Sequence, residues 1–398
     1  MTVTAPKGFR AAGVAAGLKA SGLDVALIVN DGPDATAAGV FTANRVKAAP
    51  VLWSQQVLRA GVVRAVVLNA GGANACTGPQ GFQDTHTTAE RVAATLTATG
   101  GGRLAGSGRH WQSVGAADVA VCSTGLIGER LPMPKLLAGV DSAVRGLARD
   151  GGPAAARAIM TTDTRAKTTV VAGPGWSVGG MAKGAGMLAP GLATMLCVLT
   201  TDAVADSSAL DTALRRAVAM TFDRIDSDGC QSTNDTVLLL ASGASGMSAT
   251  EEELIDAVTA ACRDLALQLL SDAEGSTKDI TIEVRAAATE ADALEVARAV
   301  ARNNLVKTAI FGADPNWGRI LAAVGTTAAQ FEPDSLAVAV NGVWVCRAGA
   351  AAEDRSKVDL SGRAVHIIID LHAGSQTGAI WTNDLSIAYV HENSAYST

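Results

Sequence analysis

A threonine near the middle of the chain stands in a setting that suits a self-activated nucleophile. Five glycines and one proline lie in residues 178–193, directly before Thr194. Glycine and proline permit the unusual backbone geometry that reactive groups need. The small Ala193 before a hydroxyl residue suits an N→O acyl shift, which would break the chain and free the α-amine of Thr194. That amine, with an ordinary pKa of about 7.7–8.0, could activate the threonine's own Oγ, and the charge of Lys183 would keep it deprotonated.

Composition and spacing alone favour a simpler interpretation of the same segment. Here the glycines form a turn, and Thr194 merely begins a buried strand over residues 195–199. Lys183 precedes Gly184 instead of following it, so the GxxxxGK order of a Walker loop is absent. The glycines do not match a dinucleotide-binding fingerprint either.

The segments before this threonine alternate between predicted strands and helices. Short apolar runs that end in turn-forming residues are typical of buried strands. The predicted strands are residues 24–30, 64–69 and 119–122, and the predicted helices are residues 84–99, with Asp84 as the N-cap, and residues 133–148.

Local signals are clearer in the second half of the chain. Thr250 and Thr289 each precede acidic residues in a way that predicts a helix N-terminus. Ile280, Ile282 and Val284 alternate as in a half-buried strand, and residues 365–371 form another apolar run. Asn341-Gly342 between two apolar runs predicts a β-hairpin, because a type I′ turn needs positive φ at both central residues. Residues 314–319 indicate a turn with a tryptophan plug. No linker composition marks a domain boundary.

Composition excludes several classes of protein. The 398 residues carry a net charge of −6, with no basic run, so we expect no nucleic-acid or membrane partner. No apolar stretch reaches the roughly 18 residues of a membrane helix, and the opening residues lack a signal-peptide core. Six scattered cysteines favour a reducing cytoplasm. Five histidines without ligand spacing argue against a metal site. We therefore expect a cytoplasmic enzyme of small metabolites.

Short motifs over nearly the whole chain carry a family resemblance. They include Cys-Ser-Thr-Gly-Leu-Ile-Gly at residues 122–128 and Ser-Thr-Asn-Asp-Thr at residues 232–236. The others are residues 8–9, 16–17, 41–44, 69–78, 159–163, 183–190, 193–196, 228–229, 274–275, 277–278, 314–319 and 392–396. In this order the motifs resemble the ornithine acetyltransferases, also called glutamate N-acetyltransferases, of arginine biosynthesis.

The resemblance implies a fold and a maturation step. The fold is α/β, with layers in the order helix–sheet–sheet–helix. Self-cleavage between Ala193 and Thr194 gives an alpha chain, residues 1–193, and a beta chain, residues 194–398, which share one active site. Two chains of each kind form a heterotetramer, and no metal or organic cofactor is needed.

The resemblance also implies a reaction and its residues. Thr194 Oγ takes the acetyl group from N-acetylornithine and passes it to glutamate, while Thr124 and the Gly125 N–H form the oxyanion hole. Glu274 meets the δ-ammonium of ornithine. The substrate-contacting positions are Thr161, Thr162, Lys183, Thr194, Glu274, Asn393 and Thr398. Whether acetyl-CoA also serves as a donor stays open, as does the choice between Thr161 and Thr162.

Three alternative functions remain open. A self-processing aminopeptidase or amidase would use water as the acyl acceptor. A thiol-dependent acyltransferase would use Cys76, although no nearby histidine supports it. A non-enzymatic amino-acid-binding protein would form no acetyl adduct.

Overall fold

The computed structural model describes residues 2–99, 113–189 and 195–395. The predicted cleavage pair Ala193 and Thr194 and the predicted substrate contact Thr398 lie outside these residues. The strands are β1 (Phe9–Val14), β2 (Val25–Asn30), β3 (Thr36–Phe41), β4 (Ala65–Gly72), β5 (Val119–Leu126), β6 (Lys167–Ala172), β7 (Ser177–Lys183), β8 (Leu196–Thr201), β9 (Thr236–Ala241), β10 (Asp279–Ala287), β11 (Ala337–Val340), β12 (Val343–Arg347), β13 (Ala350–Ala351), β14 (Ala364–Asp370) and β15 (Gln376–Asn383). The α-helices are α1 (Ala49–Val57), α2 (Gly78–Ala98), α3 (Met133–Arg145), α4 (Gly152–Ala158), α5 (Ser207–Met220), α6 (Glu251–Ser271), α7 (Glu290–Ala301), α8 (Asn304–Phe311), α9 (Trp317–Val324) and α10 (Ile387–Ala395).

Elements β1–β9 and α1–α6 form what we call the four-layer unit. Its first sheet has the order β1-β2-β4-β5, and its second sheet has the order β3-β9-β8-β7-β6. Apolar side chains from both sheets, such as Ile28 and Leu240, share one buried core between them. Helices α2 and α3 cover the outer face of the first sheet, and α5 and α6 cover that of the second. The predicted helix–sheet–sheet–helix layering is confirmed.

Elements β10–β15 and α7–α9 form a second layered unit, which we call the C-terminal unit. Its six-stranded sheet has the order β13-β12-β11-β14-β10-β15. The sheet packs against the three helices around a separate core that contains Ile282 and Val338. The Trp317 plug predicted at residues 314–319 packs against this second core. Composition gives no sign of this division, because no linker separates the two units.

Strand register brings three parts of the chain together at one end of the second sheet. Strand β7 pairs antiparallel with β8, so that Lys183 lies opposite Leu196. Strand β8 pairs parallel with β9, so that Leu196 lies opposite Thr236. Strands β6 and β7 precede residue 193 and β8 and β9 follow it, so both predicted fragments build this sheet.

Most local predictions are confirmed, and one is wrong. Thr250 and Thr289 cap α6 and α7 with their side chains, and Asn341 and Gly342 have φ of 46° and 85° at the predicted hairpin. Asp84, however, does not cap a helix. It is buried inside α2 and pairs with Arg130 at 2.7 Å. The helix begins earlier because a proline at its start supplies a φ that already suits a helix.

Candidate active site

Lys183 and Thr124 meet between the two sheets of the four-layer unit. Lys183 ends β7 and Thr124 lies near the end of β5, and both side chains are buried. The Lys183 Nζ donates a hydrogen bond of 3.1 Å to Thr124 Oγ1. A hydroxyl that accepts from an amine still has its own proton to donate. Thr124 is therefore set to donate a hydrogen bond to another group, as an oxyanion hole requires.

Burial and neighbouring charges shift the pKa of Lys183 in opposite directions. Burial lowers the pKa of Lys183 below its ordinary value because it disfavours the charged ammonium. Asp163, Asp235 and Glu274 raise it, because their negative charges stabilise the ammonium. These three carboxyl groups therefore oppose the effect of burial on the amine that contacts Thr124.

Gly125 occupies a position that no side chain would fit. Its φ is +130°, and a Cβ there would lie 2.5 Å from the Gly72 backbone nitrogen. Strands β4 and β5 run parallel, with Gly71 opposite Gly125 and an irregularity at Gly72. The three glycines thus let two backbones approach closely beside Thr124. The predicted oxyanion roles of Thr124 and Gly125 stay predictions.

Asp235 holds the first described residue after Thr194. The Met195 N–H donates to Asp235 Oδ1 at 2.9 Å, and the Thr236 N–H donates to the Met195 carbonyl at 3.1 Å. Burial raises the pKa of Asp235 well above its ordinary value. Its other oxygen, Oδ2, is buried without a hydrogen-bond partner among the described residues. Sequence reasoning gave Asp235 no role, although its place in the motif at residues 232–236 was a usable signal.

Asn234 joins the loop before β9 to the first sheet. Its Nδ2 donates to the Ala73 carbonyl at 2.6 Å and to the Ser123 carbonyl at 2.8 Å. Because Ser123 directly precedes Thr124, these bonds fix the distance between Thr124 and the segment that contains Asp235.

Asp163 fixes the loop that carries the two predicted substrate threonines. Its carboxylate accepts from the Thr161 N–H at 3.0 Å, from the Gly184 N–H at 2.7 Å and from the Lys167 Nζ at 2.5 Å. Burial opposes ionisation of Asp163, but Lys183 and Lys167 outweigh it and lower its pKa. The loop is therefore tied directly to the end of β7.

Thr162 and Glu274 form a second pair of predicted site residues. Thr162 Oγ1 donates to Glu274 Oε1 at 2.7 Å. The Glu274 N–H donates to the Ala185 carbonyl at 2.9 Å, and a Cβ on Gly186 would lie 2.8 Å from Glu274 Oε2. The glycine-rich stretch after Lys183 thus leaves room for the Glu274 carboxylate.

A buried ion cluster anchors this second pair. Lys167, which is fully buried, bridges Asp163 and Asp272 at 2.5 Å each. Asp272 follows the end of α6 and lies two residues before Glu274. The cluster therefore fixes Glu274 against the threonine loop, and sequence reasoning missed both Lys167 and Asp272.

The structure does not bring Asn393 into this cluster. Asn393 is exposed on α10, where its Nδ2 donates to the Tyr389 carbonyl at 3.0 Å. The start of α10 does lie beside the site, because Ser386 Oγ donates to the Gly275 carbonyl at 2.5 Å. The substrate contact of Asn393 stays a prediction.

Three features bear on the other predictions. Within residues 2–99, 113–189 and 195–395, no three histidine, cysteine, aspartate or glutamate side chains are grouped to hold a metal. No helix in these ranges has the length and apolar character needed to cross a bilayer. Cys76 is an exposed thiol ahead of α2, whereas Cys122 is buried, which raises its pKa to about 12.

Comparison with known proteins decides the family. A sequence profile of the ArgJ family matches residues 10–398. The chain belongs to the ArgJ family. The arginine biosynthesis bifunctional protein ArgJ of Streptomyces avermitilis is 64% identical over 399 residues, which cover both chains completely. The protein of the same name from Mycobacterium tuberculosis (strain CDC 1551 / Oshkosh) is 60% identical and covers all of this chain and 96% of its own.

Solved structures include members of the ArgJ family. The ornithine acetyltransferase of Mycobacterium tuberculosis, complexed with ornithine, is 60% identical, with a TM-score of 0.44 over 49% of this chain and 96% of that chain. An ArgJ protein of Bacillus halodurans is 35% identical, with a TM-score of 0.47 over 50% of this chain and 97% of that chain. ArgJ membership confirms the predicted class, an acyltransferase of arginine biosynthesis. The roles of single residues stay predictions.

Proposed function

We propose that this ArgJ chain moves the acetyl group of N-acetylornithine to glutamate through an ester on Thr194. The observation that carries the proposal is the buried contact between Lys183 and Thr124, 3.1 Å long, beside the start of β8. Thr194 lies two residues before β8 along the chain. A short piece of backbone therefore joins the nucleophile to the start of β8, opposite the lysine that donates to the Thr124 hydroxyl.

Self-cleavage frees the α-amine that later activates the Thr194 hydroxyl. Thr194 Oγ attacks the Ala193 carbonyl carbon, the bond to the Thr194 nitrogen breaks, and an ester replaces the peptide. Water then hydrolyses the ester, which leaves a carboxylate on Ala193 and a free α-amine on Thr194. Asp235 supports this step, because its bond to the Met195 N–H holds the residue that follows Thr194.

Acetyl transfer then proceeds in two half-reactions. In the first, Thr194 Oγ gives its proton to its own α-amine and attacks the acetyl carbon of N-acetylornithine. The carbon–nitrogen bond breaks, and ornithine leaves with a proton on its nitrogen. In the second, the α-amine of glutamate attacks the acetyl ester, N-acetylglutamate leaves, and Thr194 Oγ regains its proton.

An oxyanion forms in both half-reactions and needs hydrogen-bond donors. Thr124 Oγ1 and the Gly125 N–H are the donors we propose. The loss of one such donor typically costs about 10²–10³ in rate. The tight contact of Gly125 with Gly72 favours this role, because a rigid backbone keeps its N–H in place before the charge develops.

Substrate binding involves the residues around this centre. Glu274 pairs with the δ-ammonium of ornithine, and Lys183 and the threonine loop at residues 161–162 contact the amino-acid substrates. Asn393 and Thr398 complete the contacts from the C-terminal end. Both fragments then share one site, which is consistent with the mixed origin of the second sheet. The assembly we propose is a cytoplasmic heterotetramer of two alpha and two beta chains.

Denaturing electrophoresis of the purified chain tests self-cleavage. Two bands are expected for the unmodified chain and for Thr194→Ser, and one full-length band is expected for Thr194→Ala. A single full-length band from the unmodified chain would contradict the proposal.

Acetate release from N-acetylornithine separates transfer from the amidase alternative. A transferase forms N-acetylglutamate when glutamate is present, whereas an amidase releases acetate equally with and without glutamate.

A further inference from the structure

A cavity of about 320 Å³ lies directly beside Glu274. Its wall includes residues 227–229, the start of α8 and the start of α10. The Ser227 N–H donates to the Leu188 carbonyl at 2.5 Å, which ties this wall to the chain just before the predicted cleavage point. The cavity therefore adjoins the site at Glu274, which belongs to both.

The chemistry of the reaction, as proposed above, sets an unusual demand on this region. Ornithine ends in an ammonium and glutamate ends in a carboxylate, and both charges lie the same number of bonds from the α-carbon. Substrates that place their α-amines at one nucleophile therefore bring opposite charges to one place. Glu274 suits the ammonium but repels the carboxylate, so the carboxylate needs a cation nearby.

Two cationic side chains line the cavity, and one of them is already committed. Lys307 Nζ donates to the Ser227 carbonyl at 2.6 Å, to Thr382 Oγ1 at 3.0 Å and to the Asn383 carbonyl. An ammonium has three N–H groups, so these bonds use all of them. Lys307 therefore holds the cavity wall together and has no donor left for a substrate.

Arg302 is the second cation, and it has donors to spare. Its Nε donates to Asp226 Oδ2 at 2.7 Å, and the Asp226 side chain is completely buried. Its Nη1 and Nη2 groups make no hydrogen bond to any described residue. About half of the Arg302 side chain is exposed, at 51%. The bond to Asp226 fixes the direction of the guanidinium, whose terminal fork matches the geometry of a carboxylate.

We infer that Arg302 binds the γ-carboxylate of glutamate in the second half-reaction and so selects glutamate as the acetyl acceptor. This inference rests on the proposed function. The same cavity then accepts ornithine through Glu274 and glutamate through Arg302. The two substrates differ in the residue that meets their charged ends, while the chemistry at Thr194 is shared.

The variant Arg302→Gln tests the inference with two acceptors, glutamate and ornithine, and with glutamine as a control. In the formation of N-acetylglutamate, the KM for glutamate should be about 10- to 150-fold higher than in the unmodified enzyme, the range for a lost charged hydrogen bond. Exchange of the acetyl group between N-acetylornithine and isotopically labelled ornithine should change by less than about twofold. Glutamine, an acceptor without the γ-carboxylate, should be used equally poorly by both enzymes.

Control variants separate binding from folding. Arg216→Gln removes another exposed arginine, one outside the cavity, and should leave both acceptors unaffected. Arg302→Lys keeps the charge without the fork and should give an intermediate KM for glutamate, and it carries the test if Arg302→Gln fails to fold. An unchanged KM for glutamate, or an equal rise for both acceptors, would overturn the inference. If the unmodified enzyme forms no acetyl ester on Thr194, the proposed function itself fails, which is a separate result.

Discussion

Replacing Lys183 by methionine should slow acetyl transfer through its effect on Thr124. Methionine has nearly the length of lysine but cannot donate the 3.1 Å hydrogen bond to Thr124 Oγ1. Hydrogen bonds that involve a charged group contribute about 1.5–3 kcal/mol, which corresponds to roughly 10- to 150-fold in rate. Thr124→Val removes an oxyanion donor itself and should cost about 10²–10³ in kcat.

The double variant shows whether the two residues act together. If Lys183 acts through Thr124, the double variant should lose about as much as Thr124→Val alone, because the lysine has nothing left to orient. If the two residues acted independently, the losses would multiply to about 10³–10⁵.

The assay measures kcat with N-acetylornithine and glutamate at saturation. Each rate is divided by the fraction of self-cleaved protein, measured by denaturing electrophoresis, so that slow maturation is not mistaken for slow transfer. Thermal unfolding of each variant controls for loss of the fold. A multiplicative loss in the double variant would refute the reasoning and show that Lys183 affects the rate independently of Thr124.

Three further predictions concern the surroundings of this pair. Gly125→Ala should lower kcat by about 100-fold, because the new Cβ would lie 2.5 Å from the Gly72 nitrogen and displace the oxyanion donor. An unchanged kcat would exclude Gly125 from the oxyanion hole. Because burial lowers the pKa of Lys183, its ammonium should lose a proton at a pH below the ordinary 10.5. We therefore expect kcat to fall as the pH rises through this lowered pKa. Lys183→Arg should move this alkaline decline to higher pH, and a profile identical to that of the unmodified enzyme would contradict the assignment. Lys167→Met leaves the Asp163 carboxylate buried without its ion-pair partner. Calorimetry should therefore show a loss of about 3–5 kcal/mol in unfolding free energy. A loss below about 1 kcal/mol would mean that the cluster does not stabilise the fold.

Local signals in the sequence were enough for many elements of the fold. The caps at Thr250 and Thr289 and the hairpin at Asn341-Gly342 depend on neighbouring residues alone, so sequence reasoning found them. The prediction that Asp84 caps a helix was wrong for the same reason, because it considered only the neighbouring residues. Its side chain is a good cap in isolation, but the fold uses it to pair with Arg130.

The site could be predicted only as separate residues. Thr162 and Glu274 are 112 positions apart, and Lys183 and Thr124 are 59 positions apart. The sheet order that joins them is a property of the whole fold, so the resemblance supplied the residues without their pairing.

The supporting groups escaped sequence reasoning for a physical reason. The sequence alone predicts that Lys167 is an exposed charge at the start of a strand, because most lysines are exposed. Here it is fully buried, and its two carboxylate partners lie 4 and 105 positions away. Asp235 is similar, since only the fold shows that its carboxylate holds the Met195 N–H.

Intact mass spectrometry tests the central claim, that Thr194 carries the acetyl group after self-cleavage. Two fragments are expected, and the one that begins at Thr194 should gain the mass of one acetyl group when N-acetylornithine is added. It should lose that mass again when glutamate follows. A single chain of full length, or cleaved fragments without an acetyl adduct on the one that begins at Thr194, would contradict the account.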